Sequence, residues 1–177
     1  MDNDADRQRV RRAQAGDAAA FAALLEAHYA LMYRFAFRWC GERQAAEDIT
    51  QQACMKLAEV IGQFRFESAF TTWLYRLVIN SARDWQRREK RHLSVAESET
   101  SEPVESHRGE AHLHLEQLLR QIDTLGKGFS ETALLVLGEG LTHAEAATVL
   151  KVKESTISWR LHSIRQQLAA IGGEATE

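Results

Sequence analysis

The chain has 177 residues, of which 45% are hydrophobic and 27% are charged, and its formal net charge at pH 7 is −3. This composition is ordinary for a soluble globular protein with one domain or two small ones. No apolar run approaches the roughly 20 residues that a membrane-spanning helix needs, and the first ten residues lack the apolar core of a secretory signal. We therefore expect no membrane insertion and a cytoplasmic location.

The spacing of apolar residues predicts an all-α fold. One proline and 10 glycines leave few turns, and no run of alternating β-branched residues is long enough for a sheet. Cys40 and Cys54 lie in apolar helical surroundings without CxxC spacing, so we predict two reduced thiols in the core, with a redox pair as the alternative.

The first predicted domain, residues 1–92, is a bundle of helices. One apolar stripe is broken at Gly41, a second follows it, and a third helix runs from Phe70 to Arg91. The first stripe consists of Phe21, Leu24, Leu25, His28, Met32, Phe35 and Trp39. The second consists of Ala46, Ile49, Ala53, Leu57, Val60 and Phe64.

The helix from Phe70 to Arg91 carries an apolar stripe and a basic stripe on different faces. Six Arg/Lys against two Asp/Glu between Arg76 and Arg91 give a local balance of +4 in a chain that is negative overall. A solvated helix face is the simpler reading of such a run. Three further features favour contact with DNA or RNA. They are the amide of Asn80, the aromatic residues Phe64, Phe66 and Phe70 around the start of the helix, and a second nucleic-acid-type motif downstream.

Residues 93–114 are predicted to form a flexible acidic linker. This stretch contains the only proline and many Ser, Glu and Thr, with five acids against one base between Glu97 and Glu110.

The second predicted domain, residues 115–177, contains a helix-turn-helix pattern. Thr142 and Glu145 form a capping box that opens a short helix, and the break at 151–153 leads into an amphipathic helix. The outward residues of that helix offer hydroxyls for base edges and arginines for phosphates. They are Ser155, Thr156, Ser158, Trp159, Arg160, His162, Ser163 and Arg165. A helical hairpin without DNA contact would show the same periodicity.

Both segments resemble conserved regions of one family, the extracytoplasmic-function (group four) sigma factors of bacterial RNA polymerase. AAEDITQQACMKLAEVIGQFRFESAFTTWLYRLVINSARDWQRREKR resembles their second region, and GLTHAEAATVLKVKESTISWRLHSIRQQL resembles their fourth. The two matches occur in the family's order and together cover most of the chain between Asp17 and Ile171.

The resemblance implies an alternative sigma factor that joins core RNA polymerase at its clamp and flap and recognises a two-part promoter. The helix carrying Glu47, Asp48, Gln51 and Leu57 would dock on the clamp. The residues implied at the minus-ten element are Arg65, Ser68, Arg76, Asn80, Arg83, Arg87, Arg88 and Arg91. Those implied at the minus-thirty-five element are Ser155, Thr156, Ser158, Trp159, Arg160 and His162.

Aromatic residues and departures from the family pattern refine these expectations. Trp73 and Trp85 are predicted in the core and Tyr75 at the surface. For Trp159 two packing partners stay open, a thymine methyl of the DNA and a neighbouring helix. Departures from the pattern are Gln52 in place of an acid, Gly126 in place of a proline, Lys153 before the recognition helix, and Ser158, Trp159 and Ser163 within it.

Two alternatives accompany the sigma-factor reading. A sigma-like decoy would bind an anti-sigma factor, itself a candidate partner, without reading DNA. A metal-responsive regulator is prompted by His92, His107, His112 and His114, although scattered histidines in a polar segment are usually solvated. No nucleophile with a base, phosphate-binding glycine loop or paired carboxylates indicates an enzyme. We therefore expect no catalytic activity, no cofactor and no bound metal.

Overall fold

A computed structural model of the chain describes residues 4–96 and 110–174, with side chains for 4–91, 115 and 117–170. Contacts divide the chain into two units, Met1–Arg108 and Gly109–Glu177. The described residues contain helices and no strand, which confirms the all-α prediction. The helices are α1 (Asp4–Gln14), α2 (Ala18–Cys40), α3 (Arg43–Val60), α4 (Phe70–Ala96), α5 (Glu110–Asp123), α6 (Phe129–Ala133), α7 (His143–Leu150) and α8 (Glu154–Glu174).

The first unit is built around α2, against which α1, α3 and α4 pack. Asp17 caps the N-terminus of α2, and its carboxylate accepts a hydrogen bond from the amide of Ala20 at 3.0 Å. This bond and the guanidinium of Arg12 lower the pKa of Asp17. α2 ends as predicted at Gly41, where φ is 73° and the amide donates to the carbonyl of Phe37. A left-handed residue at this position favours glycine.

α4 is one uninterrupted helix of 27 residues, which corresponds to about 40 Å. Its first half buries Phe70, Leu74 and Val78 against α2 and α3, each 1% exposed or less. Tyr75 is also buried, at 5%, and its ring meets Phe35 of α2 edge to face at 5.3 Å. The prediction of a surface Tyr75 was therefore wrong, because α4 packs on two helices and buries a wider face than one stripe.

The cysteines are free thiols in partly buried positions. Burial raises the pKa of the Cys54 thiol, so this group stays protonated near neutral pH. Cys40 donates a hydrogen bond to the carbonyl of Ala36 at 3.1 Å.

The helices on either side of the predicted linker reach into it. α4 continues to Ala96 and α5 begins at Glu110, so residues 93–96 and 110–114 are helical. Leu93, Ala96 and Ala111 are good helix formers in the sequence. The remainder of the predicted linker, residues 97–109, lies outside the described residues.

The second unit contains the predicted helix-turn-helix. Its core includes Leu135, Ile157, Leu161 and Ile164, all 1% exposed or less. α6 continues into a π-helical turn, Leu134–Gly138. A left-handed Lys151 (φ 55°) ends α7 and turns the chain toward α8.

The predicted capping box at the start of α7 is confirmed. The Glu145 amide donates to the Thr142 hydroxyl at 3.2 Å, and the Glu145 carboxylate accepts from the Thr142 amide at 2.9 Å. The carboxylate also accepts from the Thr142 hydroxyl at 2.7 Å. These bonds, the hydroxyl first, lower the pKa of Glu145.

Acidification is expected to weaken this cap. A lowered folded-state pKa contributes stability that is present above the ordinary carboxyl pKa and is lost as pH falls through the lowered value. Because the carboxylate is largely exposed, we expect its contribution to the free energy of unfolding to be less than about 1 kcal/mol. Thermal unfolding between pH 6 and pH 3 should show a smaller acid-induced loss in Glu145→Gln than in the unmodified chain. Equal losses in the two proteins would contradict a role for this carboxylate.

Candidate nucleic-acid interface

Six of the predicted nucleic-acid residues lie on α4, five of them on the face opposite its buried stripe and Arg88 on the side that borders α3. Asn80, Arg87 and Arg91 are exposed, and Arg76, Arg83 and Arg88 are half-buried. They project from the same helix that buries Phe70 and Val78, so the packed core fixes the direction of the cationic face. The structure thus brings six of the eight residues predicted at the minus-ten element onto one element.

Arg87, Arg88 and Arg91 make polar contacts in the C-terminal half of α4. Arg87 pairs with Asp84 at the surface, and the Nε of Arg91 donates to the carbonyl of Arg87 at 3.3 Å. The Nη2 of Arg88 donates to the Oε1 of Gln52 on α3 at 2.7 Å. Together these residues line an open depression. An exposed ion pair contributes little, so Arg87 can exchange Asp84 for a phosphate at small cost.

Gln52 shows what the departure from the family pattern does locally. An acid at this position would neutralise the nearby Arg88, whereas the neutral amide accepts a hydrogen bond and leaves the positive charge in place. The neutral residue therefore leaves the depression with one more net positive charge than an acid would.

A loop of residues 64–69, called here the Phe66 loop, leads into α4. Arg65 is exposed, and Ser68 is half-buried with its hydroxyl directed to the carbonyl of Ala69 at 3.4 Å. Phe64 is buried and meets Trp73 at 5.3 Å. Trp73 and Trp85 are both half-buried, so neither is a fully exposed stacking surface.

Arginines of α1 also reach this loop, which the sequence reasoning missed. Arg7 and Arg11 lie over the ring of Phe66, with guanidinium carbons 5.6 Å and 5.4 Å from its centroid. The signal present in the sequence was the run RQRVRR at 7–12, which holds four arginines.

α3 presents the residues predicted to meet the polymerase, with one exception. Glu47, Asp48 and Gln51 are exposed. Leu57 is 1% exposed, because it continues the buried stripe of α3, and its side chain is not offered to a partner. The large apolar residue that α3 does expose is Met55, at 63%.

α8 exposes most of the residues predicted for the minus-thirty-five element. Ser155, Ser158 and His162 are exposed and Thr156 is half-buried. The Ser158 hydroxyl lies 3.0 Å from the Nδ1 of His143 on α7. Trp159 packs its ring edge to face on Phe129 at 5.3 Å and keeps 58% of its surface exposed. Of the two packing partners considered for Trp159, a thymine methyl and a neighbouring helix, the structure shows contact with the helix that carries Phe129.

Arg160 is directed into the second unit instead of toward solvent. Its Nη1 donates to the Gly128 carbonyl at 3.2 Å and to the Thr132 hydroxyl oxygen at 3.4 Å, and its Nη2 donates to the Lys127 carbonyl at 3.3 Å. A Cβ at Gly128 would lie 2.6 Å from Nη1, so this glycine makes room for the guanidinium. The phosphate contact predicted for Arg160 is not available in this arrangement, because the side chain is occupied within its own unit.

Neither a membrane span nor a metal site is found where the structure is described. Among residues 4–96 and 110–174, no helix is long and apolar enough to cross a membrane. Where side chains are described, at 4–91, 115 and 117–170, no group of three His, Cys, Asp or Glu is placed to hold a metal ion. The side chains of His92, His107, His112 and His114, on which the metal hypothesis depends, lie outside the described residues.

In comparisons with known proteins, the chain is similar to sigma factors of bacterial RNA polymerase. The family model Sigma-70 region 2 matches residues 24–92. The RNA polymerase sigma-H factor of Pseudomonas aeruginosa is 28% identical over 182 residues, covering 95% of this chain and 94% of that protein. The ECF RNA polymerase sigma factor SigM of Mycobacterium tuberculosis is 29% identical over 159 residues, covering 90% and 80%.

Two solved structures share the fold. CnrH, in complex with the cytosolic domain of CnrY, matches with a TM-score of 0.71 and 23% identity, covering 98% of this chain and 100% of that one. The sigma factor RpoE from Bartonella quintana, in complex with the anti-sigma factor NepR, matches with a TM-score of 0.63 and 22% identity, covering 84% and 93%.

Proposed function

The chain belongs to the extracytoplasmic-function group of the sigma-70 family, and from that premise we propose how its surfaces act in transcription initiation. It is an alternative sigma factor that joins core RNA polymerase and directs it to promoters. We infer that it acts in the cytoplasm, where the polymerase works, and that it contributes no catalytic step of its own.

The observation that carries the DNA-binding proposal is the cationic face of α4. Its arginines lie on the helix that directly follows the Phe66 loop, in a chain whose overall charge is negative. An unpaired base can be held in a loop pocket while cations hold its backbone. We therefore assign the Phe66 loop and α4 to the minus-ten element, and the exposed hydroxyls and Trp159 of α8 to the minus-thirty-five element.

The test of this function is reconstitution with bacterial core RNA polymerase on genomic fragments of the source organism, with transcript starts mapped. Discrete new starts that share a two-part upstream motif are the expected result. Core binding without any starts would contradict the DNA-reading assignment. Failure to bind core would contradict the sigma-factor function itself.

A regulatory partner is also proposed. RpoE from Bartonella quintana was solved with the anti-sigma factor NepR, and we propose an anti-sigma factor for this chain as well. The decoy alternative requires loss of DNA reading, and nothing in the described residues favours it, since the cationic face of α4 is intact.

Asp48→Arg is expected to weaken binding of core polymerase. Asp48 is exposed on α3 beside Glu47, and the family resemblance implies clamp arginines opposite it. Placing like charges together across an interface should raise the dissociation constant about tenfold or more. Titration of labelled core polymerase measures this.

The matched control is Glu26→Arg, the same charge reversal at an exposed position of α2. It should bind core as the unmodified chain does. Equal affinity of both variants would show that α3 does not carry the polymerase contact.

A further inference from the structure

The side chains of α1 hold the Phe66 loop from one side. Arg7 and Arg11 both contact the face of the Phe66 ring. One turn further, the Nε2 of Gln14 donates to the carbonyls of Ile61 and Phe64, each at 2.9 Å. Arg7, Arg11, Gln14 and Phe66 are called here the Phe66 clamp.

The backbone at Phe66 needs such support. Its φ is 60°, in the left-handed region that a bulky residue rarely adopts. Strain of this kind persists where the surroundings fix the conformation, and it is concentrated at functional sites. The Phe66 ring also meets Phe64 at 4.9 Å, and Phe64 meets Phe70 of α4 at 5.5 Å. The clamp therefore joins α1 through the loop to the start of α4.

α1 is itself firmly docked, so it can act as a fixed support. Val10 is fully buried. The carboxylate of Asp6 is buried and lies 3.0 Å from the Nε2 of His28 on α2, and it accepts from Arg9 at 3.2 Å. Arg7 and Arg11 thus project toward Phe66 from a helix that is anchored on its other side.

We propose that α1 is a positioning element for promoter reading, which rests on the proposed function of the Phe66 loop. Arg7 and Arg11 hold the Phe66 ring, and Gln14 holds the backbone before it, so the loop is shaped before an unpaired base arrives. A loop that is already ordered loses less conformational freedom when it captures a ligand. The two arginines act through Phe66 and not by binding DNA phosphates themselves.

The test compares three variants: Arg7→Gln with Arg11→Gln, Phe66→Leu, and the two changes combined. Each is assembled with core polymerase and assayed on promoters mapped with the unmodified chain, using a pool randomised at the minus-ten positions. Two cation–π contacts should correspond to about a tenfold loss of open complex, with weakened base preference and unchanged core binding. Because both changes remove one clamp, the combined variant should lose no more than either alone.

Controls separate positioning from folding and from direct DNA contact. Gln8→Ala, at an exposed site of α1, should behave as the unmodified chain. Arg7→Lys with Arg11→Lys, which keeps two cations, should recover part of the base preference. Hydrogen exchange of amides 65–69 in the chain without DNA should accelerate in the double-glutamine variant, a readout that does not depend on promoter activity.

The results distinguish a failure of the positioning role of α1 from a failure of the proposed function. Unchanged opening or unchanged loop exchange in the double-glutamine variant would overturn the positioning role, as would fully additive losses, which indicate direct DNA contact. Absence of promoter activity in the unmodified chain would instead overturn the proposed function, and the inference with it.

Discussion

Arg83→Glu combined with Arg87→Glu is expected to abolish promoter opening while leaving assembly with core polymerase intact. Arg83 is half-buried and Arg87 exposed on the cationic face of α4. A hydrogen bond to a charged group contributes about 1.5–3 kcal/mol, so losing two and adding repulsion should reduce opening roughly hundredfold or more. The opposite face of α4 remains packed, so the fold should persist.

Permanganate reactivity of unpaired thymines in the mapped promoters measures this effect. Arg83→Lys with Arg87→Lys keeps both charges and should retain most of the opening. The salt dependence of promoter binding should also become shallower in the double-glutamate variant, by about two in its logarithmic slope. Normal opening by that variant would mean that DNA does not lie along this face.

Arg160→Met is expected to destabilise the second unit, with any loss of promoter affinity following from that. The guanidinium donates to the Lys127 and Gly128 carbonyls and to the Thr132 hydroxyl oxygen, and it lies 5.8 Å from the Phe129 ring centroid. These bonds are long, and the buried Nε has no hydrogen-bond partner. We therefore expect a cost of about 2 kcal/mol.

For a unit of this size, that cost should lower the Tm by roughly 10 °C. Hydrogen exchange of α8 amides in the full chain localises the effect. Arg165→Met is the matched control, since Arg165 is an exposed arginine on the same helix, and it should leave the exchange unchanged. Equal exchange in the two variants would show that the Arg160 contacts do not stabilise the unit.

The elements that the sequence predicted well depend on residues close together in the chain. The break at Gly41 and the capping box of Thr142 and Glu145 involve bonds over three or four residues. The buried stripe of α4 follows from helical spacing. Local chemistry determines these features, so they can be recognised without knowing the tertiary packing.

The features that the sequence did not reveal depend on distant partners. Tyr75 is buried because Phe35 lies opposite it, and Arg160 turns inward because Gly128, 32 residues earlier, leaves space for it. Helical spacing gives the position of Arg160 on α8, but it does not tell whether the long side chain extends to solvent or folds back onto its own unit. The Phe66 clamp likewise joins α1 to a loop at least 50 residues away, which no periodicity of either segment indicates.

The length of α4 limits how many nucleotides of a DNA strand its arginines can contact. Arg76 and Arg91 stand on one continuous helix, fifteen residues and therefore about 22 Å apart along its axis. At about 3.4 Å per nucleotide along one strand, that distance spans six to seven nucleotides. A hydrogen-bonded helix has a fixed rise per residue, so in the proposed complex α4 holds these two arginines at a constant separation. Inserting one nucleotide within the stretch beside α4 should put the phosphates beyond it out of register.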